Sequence, residues 1–540
     1  MRGRLIPPFD TVCIFLADLG RFSRRKKIEK SNNDEALRGV IKSAKARFSI
    51  TTPSPKIRRA IFFTVALFAL AVRLPQLGER PMHTDESINA YITGELLAGG
   101  YFHYDPQDRH GPALYMLAEP VAQLGGAKNF SGLTETQLRL STVFAGTATV
   151  LLFGAGVEIF GFNACLVAAL LFAFAPLPVY YSRYFIHETL FVAATLGLIL
   201  SGWRAWQKKS LPAAAIAGGC AALMLACKET APLHFFALAL AAFGCRIFNP
   251  RKNPAADFPP PKIILTAFVV FLLVVVLLFT WFGQNWQAPA DLFRAIPRFA
   301  ARAGGEGHEK PFWYYAKLLC DGWSGGIILG VAALGILGVF MAGRPPRRVF
   351  LAIYATVIFA IYSAIPYKTP WLALNLWLPL ALFAGLGGEL IWQNSKKVRR
   401  LFWFSVVALA CLMAKDTWNR VFVNPIDEKN PYAYAHTTED LLRLPARLEE
   451  LARQNKLSNP RIAVVAADAW PLPWYLRKFS QAGFWQPGQE TGAADFFITT
   501  TDVSGKLAER LKKFHPEFFG VRPEVVIILW SPAPAENRHE

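Results

Sequence analysis

Charged residues are scarce in this sequence. Asp, Glu, Lys and Arg make up only 18% of its 540 residues, whereas 53% are hydrophobic. A soluble protein normally carries more charge, about 25% of its residues. The composition therefore excludes an ordinary water-soluble globular protein.

Cysteine motifs are lacking as well. The seven cysteines are scattered, most of them lie within apolar stretches, and none belongs to a C-x-x-C pair. A disulfide framework or a structural zinc site is therefore not indicated. The sequence also contains no convincing internal repeat. Near the N-terminus, "TVCIFLADLG" is too short for a secretory signal.

Long apolar runs are what the sequence has instead. The stretch 263–282, "IILTAFVVFLLVVVLLFTWF", has no charged residue and is long enough to cross a hydrocarbon core of about 30 Å. The first run is interrupted by Arg73, which near a helix end can reach the membrane interface. The pattern predicts an α-helical polytopic membrane protein with about eleven spans. The predicted spans are 60–77, 138–160, 163–182, 186–206, 211–227, 230–247, 263–283, 322–342, 349–366, 371–391 and 401–418.

The basic residues indicate how these spans are oriented. The formal net charge is +20, but lysine and arginine concentrate before residue 60 and in short links such as "RAWQKKS" and "GRPPRR". Basic links between apolar runs are expected on the cytoplasmic face. The charge therefore indicates topology in a plasma or inner membrane, with the N-terminus inside and the C-terminus outside. It does not indicate a nucleic-acid partner.

The chain divides into three predicted regions. Residues 1–58 form a basic cytoplasmic extension, 59–419 the transmembrane domain, and 420–540 an extracytoplasmic domain. In the last region, strand-like runs such as "RIAVVAA" and "EVVIILW" alternate with helical patterns, which predicts a small α/β domain with a partly parallel sheet. The outer loop 78–137 is too weakly apolar for a span and predicts two interfacial helices on the bilayer.

Unusual polar residues collect on the predicted outer side. Ionisable groups near a membrane are unfavourable unless they are functional or paired, so their convergence at several outward turns predicts one site that opens outward. The candidate catalytic residues are Asp85 and Glu86. The candidate substrate-binding residues are His83, His103, His110, Arg183, His187, Glu188, Lys228 and Lys368.

Structural interpretations stay open for each of these residues. Asp85 and Glu86 could simply cap the following helix, because carboxylates favour helix N-termini. Others could hold loops or helices together: His187 paired with Glu188, Lys228 paired with Glu229, and His103 and His110 as satisfied loop residues.

A lipid-linked sugar would suit this set of groups. Transfer needs a carboxylate base for the acceptor's proton, and Asp85 is the natural candidate. It also needs cations for the departing lipid phosphate, for which Arg183, Lys228 and Lys368 are candidates. The sequence indicates no definite cofactor. A divalent cation such as Mg²⁺ or Mn²⁺ is compatible only if several of these groups converge.

The stretch "RLPQLGERPMHTDE" resembles GT-C glycosyltransferases of the protein O-mannosyltransferase-like superfamily, which includes lipid A aminoarabinose transferase. Together with "FHYDPQDRHGPALY", "SRYFIHETLF", "CKET" and "PYKTPW", it resembles a narrower, flippase-activity-associated family over roughly residues 60–420. The resemblance implies a polyprenyl-phosphate-sugar donor, an inverting hexosyltransferase-like reaction, and a glycan, protein or lipid acceptor. It also implies that Asp85 is the acidic residue of the first outer loop, with Glu86 beside it, and that His187 and Glu188 lie near the donor or a metal.

A transport role is the alternative. The chain could belong to a flippase or transporter that handles lipid-linked glycans. Transporters more often have broken helices and charges near the bilayer midplane, and the predicted spans 263–283 and 322–342 have neither. The sequence therefore favours the glycosyltransferase.

Overall fold

A computed structural model describes residues 53–107, 110–248, 259–341, 346–392, 396–502 and 506–532. Nearly all of the predicted cytoplasmic extension, 1–58, lies outside the described residues. The larger part of the described chain is a bundle of apolar helices, and the smaller part is a sheet domain near the C-terminus.

Helices make up most of the described chain between residues 55 and 418. They are α1 Pro55–Arg73, α2 Thr84–Leu97, α3 Ala113–Leu124, α4 Glu135–Ala155, α5 Phe162–Phe174, α6 Pro176–Ser182, α7 Glu188–Lys208, α8 Leu211–Cys227, α9 Ala231–Phe248, α10 Pro261–Phe279, α11 Ala288–Arg302, α12 Gly322–Met341, α13 Pro346–Ala364, α14 Ala373–Trp392 and α15 Lys396–Trp418. Short helices at Val157–Phe160 and Tyr314–Leu319 join them.

Each predicted span coincides with one of these helices, except 163–182, which coincides with the pair α5–α6. The polytopic helical fold is therefore confirmed. By length and apolar composition, 7 helices of the described chain can cross a membrane, or 8 if the bent pair α5–α6 is one span. The helices α1, α8 and α12 fall short of that criterion. The count of eleven spans therefore stays a prediction.

The C-terminal region folds as the predicted α/β domain. It contains α16 Leu444–Gln454, β1 Ile462–Val465, β2 Ala482–Trp485, β3 Phe496–Thr500, β4 Phe514–Arg522 and β5 Val525–Pro532, with short helices at Leu472–Tyr475 and Lys506–Leu511. The strand order is β2-β1-β3-β5-β4. The strands β2, β1 and β3 pair in parallel, and β5 pairs antiparallel with both β3 and β4. The inner strand β1, which lies between β2 and β3, is buried along its whole length, as expected for a parallel strand covered on both faces.

The helix pair α2–α3 of the outer loop packs under this domain. Met82, Ala90 and Leu114 share one hydrophobic core with Leu448 and Trp474. The two predicted loop helices are therefore present, but burial against the C-terminal domain accounts for part of their apolar surface. The domain boundary predicted at residue 420 remains a prediction, because the residues on its two sides form a common core.

The bend between α5 and α6 has a defined chemical cause. The helices meet at 58°, where "PLP" follows Ala175 and two prolines lack the N–H groups that would continue the helix. Side chains donate to the backbone carbonyls at the end of α5 instead. Arg73 donates to the carbonyls of Phe172 (2.6 Å) and Ala173 (3.0 Å), and the Thr417 hydroxyl donates to the carbonyl of Phe174 (2.6 Å). Arg73 is fully buried, so the expectation that it reaches the membrane interface is wrong.

We predict that Arg73→Met destabilises the bundle. The change leaves buried carbonyls without donors, and each such group costs about 1–3 kcal/mol. The midpoint of thermal unfolding in detergent should fall by several degrees. Arg59→Met, on an exposed position of the same helix, is the matched control and should leave the midpoint unchanged. An equal effect of both changes would contradict the role assigned to Arg73.

Candidate active site

Asp85 lies in the first turn of α2, held by a reciprocal cap. The Nδ1 atom of His83 accepts a hydrogen bond from the Asp85 amide (3.1 Å), and the Glu86 carboxylate accepts one from the His83 amide (3.2 Å). Such a cap fixes the start of a helix. The Asp85 side chain is partly exposed, and no residue in the described ranges donates a hydrogen bond to its carboxylate. It is thus available to a substrate.

Glu86 has the opposite environment. Its carboxylate is fully buried and accepts hydrogen bonds from Arg139 (2.8 Å to each oxygen), Arg80 (3.2 Å) and the Phe185 amide (2.9 Å). Burial alone would raise the pKa of Glu86, but the positive charges of Arg139 and Arg80 and these hydrogen bonds hold it well below its usual range. Glu86 was grouped with Asp85 as catalytic from the sequence; its bonds are all internal, which makes it an anchor for α2.

The protonation of His83 follows from its partners. Because Nδ1 accepts the Asp85 amide, Nε2 carries the proton and donates to the Tyr434 carbonyl at 3.1 Å. Burial lowers the pKa of His83, in agreement with a neutral ring. The site residue His83 therefore ties the loop before α2 to the C-terminal region.

The other wall of the site comes from the link after α11 and from the C-terminal region. Glu309 and Tyr367 form an antiparallel bridge, which presents His308 beside the Tyr367 ring. The Tyr434 hydroxyl and His308 Nδ1 share a hydrogen bond of 2.6 Å. Burial raises the pKa of Tyr434 and that of Tyr367, and it lowers the pKa of His308. The negative charge of Asp85 raises the pKa of all three side chains, so it opposes the effect of burial only at His308. All three side chains thus lie within electrostatic reach of Asp85.

A second polar cluster adjoins this wall. Lys228 is paired with Glu188 inside the protein. Glu229 accepts hydrogen bonds from the Tyr104 hydroxyl (3.1 Å) and pairs with His110 (2.8 Å). The charges of both Lys228 and Asp85 act on the pKa of Tyr367, so this tyrosine is within electrostatic reach of both groups.

His187 belongs to the second cluster through its ring. Its Nε2 atom lies 3.3 Å from the Gly111 carbonyl, and its ring centroid lies 5.2 Å from that of His110. The predicted pairing of His187 with Glu188 is not what the structure has, because Glu188 pairs with Lys228. Burial, together with His110 and Lys228, holds the pKa of His187 well below its usual range.

Three of the residues predicted to bind substrate lie elsewhere or already use their hydrogen-bond donors within the protein. Arg183 donates to the carbonyls of Arg73, Pro75 and Gln76. Lys368 is buried, and its ammonium donates to the carbonyls of Lys310 and Ile365. His103 is exposed and stacks on Tyr101. Backbone carbonyls thus use donors of both Arg183 and Lys368, and these bonds close turns of the chain; the assignment of the two residues to a phosphate stays a prediction.

Sequence reasoning missed several residues of the site. His308 lies in "GEGHEKPFWYY", where a histidine between glycines and charged residues is a usable signal. Arg139 lies inside a predicted span, and an arginine there predicts a buried partner. Tyr434 carried no comparable signal, because its role depends on a contact with a residue 126 positions away.

Metal ligation is not assigned. Within the ranges that the structure describes, no group of three or more His, Cys, Asp or Glu side chains is arranged to hold a metal ion.

Comparison with known proteins agrees with this architecture. A protein-family profile described as dolichyl-phosphate-mannose-protein mannosyltransferase matches residues 110–281. A search of curated proteins gives no match. Among solved structures, ArnT from Cupriavidus metallidurans bound to undecaprenyl phosphate is similar, with a TM-score of 0.61 and 14% identity over 87% of this chain and 97% of that one. The oligosaccharyltransferase AglB from Archaeoglobus fulgidus, in complex with an inhibitory peptide and a dolichol-phosphate, has a TM-score of 0.52 and 12% identity over 88% of this chain and 76% of that one.

The profile match over residues 110–281 and the solved structures show that the chain shares the fold of GT-C glycosyltransferases. The resemblance inferred from "RLPQLGERPMHTDE" is thereby confirmed at the level of the fold. With its apolar helices, the chain is a multi-pass integral membrane protein. The narrower resemblance to flippase-activity-associated proteins stays a prediction.

We predict that Glu86→Gln destabilises the protein even though Glu86 does not face a substrate. Loss of this charge leaves two buried arginines uncompensated, and breaking a buried ion pair costs about 3–5 kcal/mol. Glu95→Gln, at an exposed position of the same helix, is the control.

The pH dependence of stability supplies a separate prediction. The folded state lowers the pKa of Glu86 below its ordinary value of 4.5. Its contribution is therefore complete above that value and is lost as the pH falls below it. Between pH 7 and pH 3, the difference between the unfolding midpoints of the wild type and of Glu86→Gln should be constant above that value and should narrow as the pH falls below it. A constant difference across this range would contradict the assignment.

Proposed function

We propose that the protein transfers a sugar from a polyprenyl-phosphate-linked donor to a glycan, protein or lipid acceptor on the extracytoplasmic side of the membrane, with Asp85 as the general base. The observation that carries this proposal is the contrast between two adjacent carboxylates. Glu86 is neutralised and buried by arginines, whereas the neighbouring Asp85 carboxylate is partly exposed and has no internal donor in the described chain.

The donor class rests on the comparisons. ArnT has been crystallised with undecaprenyl phosphate, and AglB with a dolichol-phosphate. Both ligands are polyprenyl phosphates, and both proteins share the fold of this chain. A lipid phosphate held at the membrane surface would place its sugar where the loops meet the helix ends, which is where Asp85 lies.

The reaction can be written with this chain's own residues. Asp85 takes the proton of the acceptor hydroxyl while the acceptor oxygen forms a bond to the anomeric carbon of the sugar. The bond from that carbon to the phosphate oxygen breaks, and its electron pair leaves with the lipid phosphate. Attack opposite the leaving group inverts the anomeric centre.

Two lysines can stabilise the departing phosphate. Lys228 lies in the cluster next to Tyr367, although Glu188 shares its charge. Lys310 lies 5.6 Å from the centre of the Tyr434 ring, and no described residue accepts a hydrogen bond from its ammonium. Fixed cations at a developing anion lower the barrier to its departure. We propose Lys310 and Lys228 for this role in place of Arg183 and Lys368.

The alternative transport role is less well supported. A broken helix such as α5–α6 is typical of transporters. Here, however, Arg73 and Thr417 occupy the carbonyls at the break, so the break supplies no exposed ion ligands. We therefore retain transfer as the proposed function, with the hexosyl specificity and the N-in, C-out topology as parts of the proposal.

We predict that Asp85→Asn abolishes transfer. General-base catalysis contributes about 10²–10⁴-fold, so the rate with synthetic polyprenyl-phosphate sugars in proteoliposomes should fall by at least about 100-fold. The thermal midpoint should not change, because Asn keeps the shape and the lost charge has no internal partner. Asp105→Asn, in the loop before α3, is the control. Full turnover by Asp85→Asn would exclude Asp85 from the chemistry.

We also predict that His308 and Tyr434 act as one unit. Tyr434→Phe and His308→Ala should each lower kcat by about tenfold, or about 1.4 kcal/mol in the barrier. The double variant should show no further loss, because either change breaks the same hydrogen bond. Tyr101→Phe, at an exposed tyrosine, is the control. Additive losses in the double variant would show that the two residues act independently.

A further inference from the structure

The helix α11 has more apolar surface than the protein covers. Its Ala288, Leu292, Ala295 and Phe299 face the core that contains Phe279. Next to this inward side, Phe293 is 72% exposed and Ile296 is also exposed. An amphipathic helix that serves only the protein interior would place polar residues there. The additional apolar side of α11 therefore faces something outside the chain.

The exposed side of α11 continues the bilayer-facing surface of α10. That span has exposed Phe268, Leu272 and Leu273 along its length. Beyond its end, Phe282 is exposed and Trp286 is 72% exposed, and the side chains of α11 follow. Exposed apolar side chains thus recur from a membrane span, through the short turn that follows it, onto α11.

We propose that α11 is a membrane-interface helix. Its Phe293 and Ile296 side chains, and that of Trp286 in the turn before it, insert among the lipids of the leaflet next to the active site. Tryptophan is enriched at this depth of a bilayer, and amphipathic helices bury their apolar face about 5–10 Å into the boundary between headgroups and acyl chains. Arg294 is exposed and paired with Asp291 (2.7 Å). Its charge can remain in the headgroup layer while its stem lies along the apolar surface.

The same helix borders the second polar cluster on its inner side. The Phe299 ring stacks on His110, with centroids 6.4 Å apart. Arg298 and Arg302 are both paired with Glu306, at the start of the link that carries His308. The helix α11 is therefore a wall that separates lipid from the polar residues of the site. The lipid contact itself does not depend on the proposed transfer reaction.

A photocrosslinking comparison at three phenylalanines tests the inference. The photoreactive residue p-benzoylphenylalanine replaces Phe293, or Phe268 in α10, or Phe518 in β4, in full-length protein reconstituted in phosphatidylethanolamine–phosphatidylglycerol nanodiscs. The three positions are similarly exposed, at 72%, 55% and 64%, and an aromatic ring is kept at each. Adducts are identified by mass spectrometry of the irradiated protein.

We expect phospholipid adducts at positions 293 and 268, with at least about tenfold less at position 518. A phospholipid yield at 293 as low as that at 518 would overturn the inference. A crosslink from 293 to a second copy of the chain would also overturn it, because the apolar side would then be a protein interface. The readout needs no donor or acceptor, so its failure is distinguishable from a failure of the proposed transfer.

Discussion

The organisation of the site depends on one buried interaction, between the Glu86 carboxylate and the guanidinium groups of Arg139 and Arg80. It joins the loop after α1, the helix α4 and the turn between α6 and α7, which contributes the Phe185 amide. Removing such charges from water is unfavourable, and the pairing is sustained only because hydrogen bonds satisfy both carboxylate oxygens. In return, the first turn of α2 has a single fixed position.

This arrangement lets adjacent acids take different roles. The Glu86 side chain is directed into the protein and is fully neutralised by its partners. One residue earlier, the Asp85 side chain leaves the helix on another side and meets no internal donor in the described chain. Environment rather than residue type thus separates the anchoring acid from the reactive one, as it does wherever two carboxylates of one site differ in function.

The C-terminal domain is part of the same construction. Tyr434 accepts a hydrogen bond from His83 through its carbonyl and bonds His308 through its hydroxyl. Nearby, the Thr437 hydroxyl donates to the Met82 carbonyl, and the Met82 amide donates to the Tyr475 hydroxyl. The segment before α2 is therefore held from both sides, by membrane helices and by the domain that follows them. A truncated chain would lack half of this support.

Much of the fold could be predicted from the sequence, because long apolar runs and alternating strand patterns are local signals. Asp85 is likewise a candidate from a local signal, an acidic pair just beyond a span. What local signals could not show was which donors the chain itself uses. In the sequence, Arg183 and Lys368 resemble phosphate ligands, but in the structure both donate to backbone carbonyls. Arg73 resembles an interfacial residue, but it donates to carbonyls at the break before Pro176. The pairing of Glu86 with Arg139, 53 positions apart, likewise depends on tertiary structure.

The most direct test of the account is an experimental structure with a non-hydrolysable polyprenyl-phosphate-sugar analogue bound. We expect the anomeric carbon beside the Asp85 carboxylate, the phosphate beside Lys228 or Lys310, and Glu86 still buried between its arginines. A donor headgroup bound at the opposite end of the helices, or an Asp85 carboxylate remote from the sugar, would contradict it.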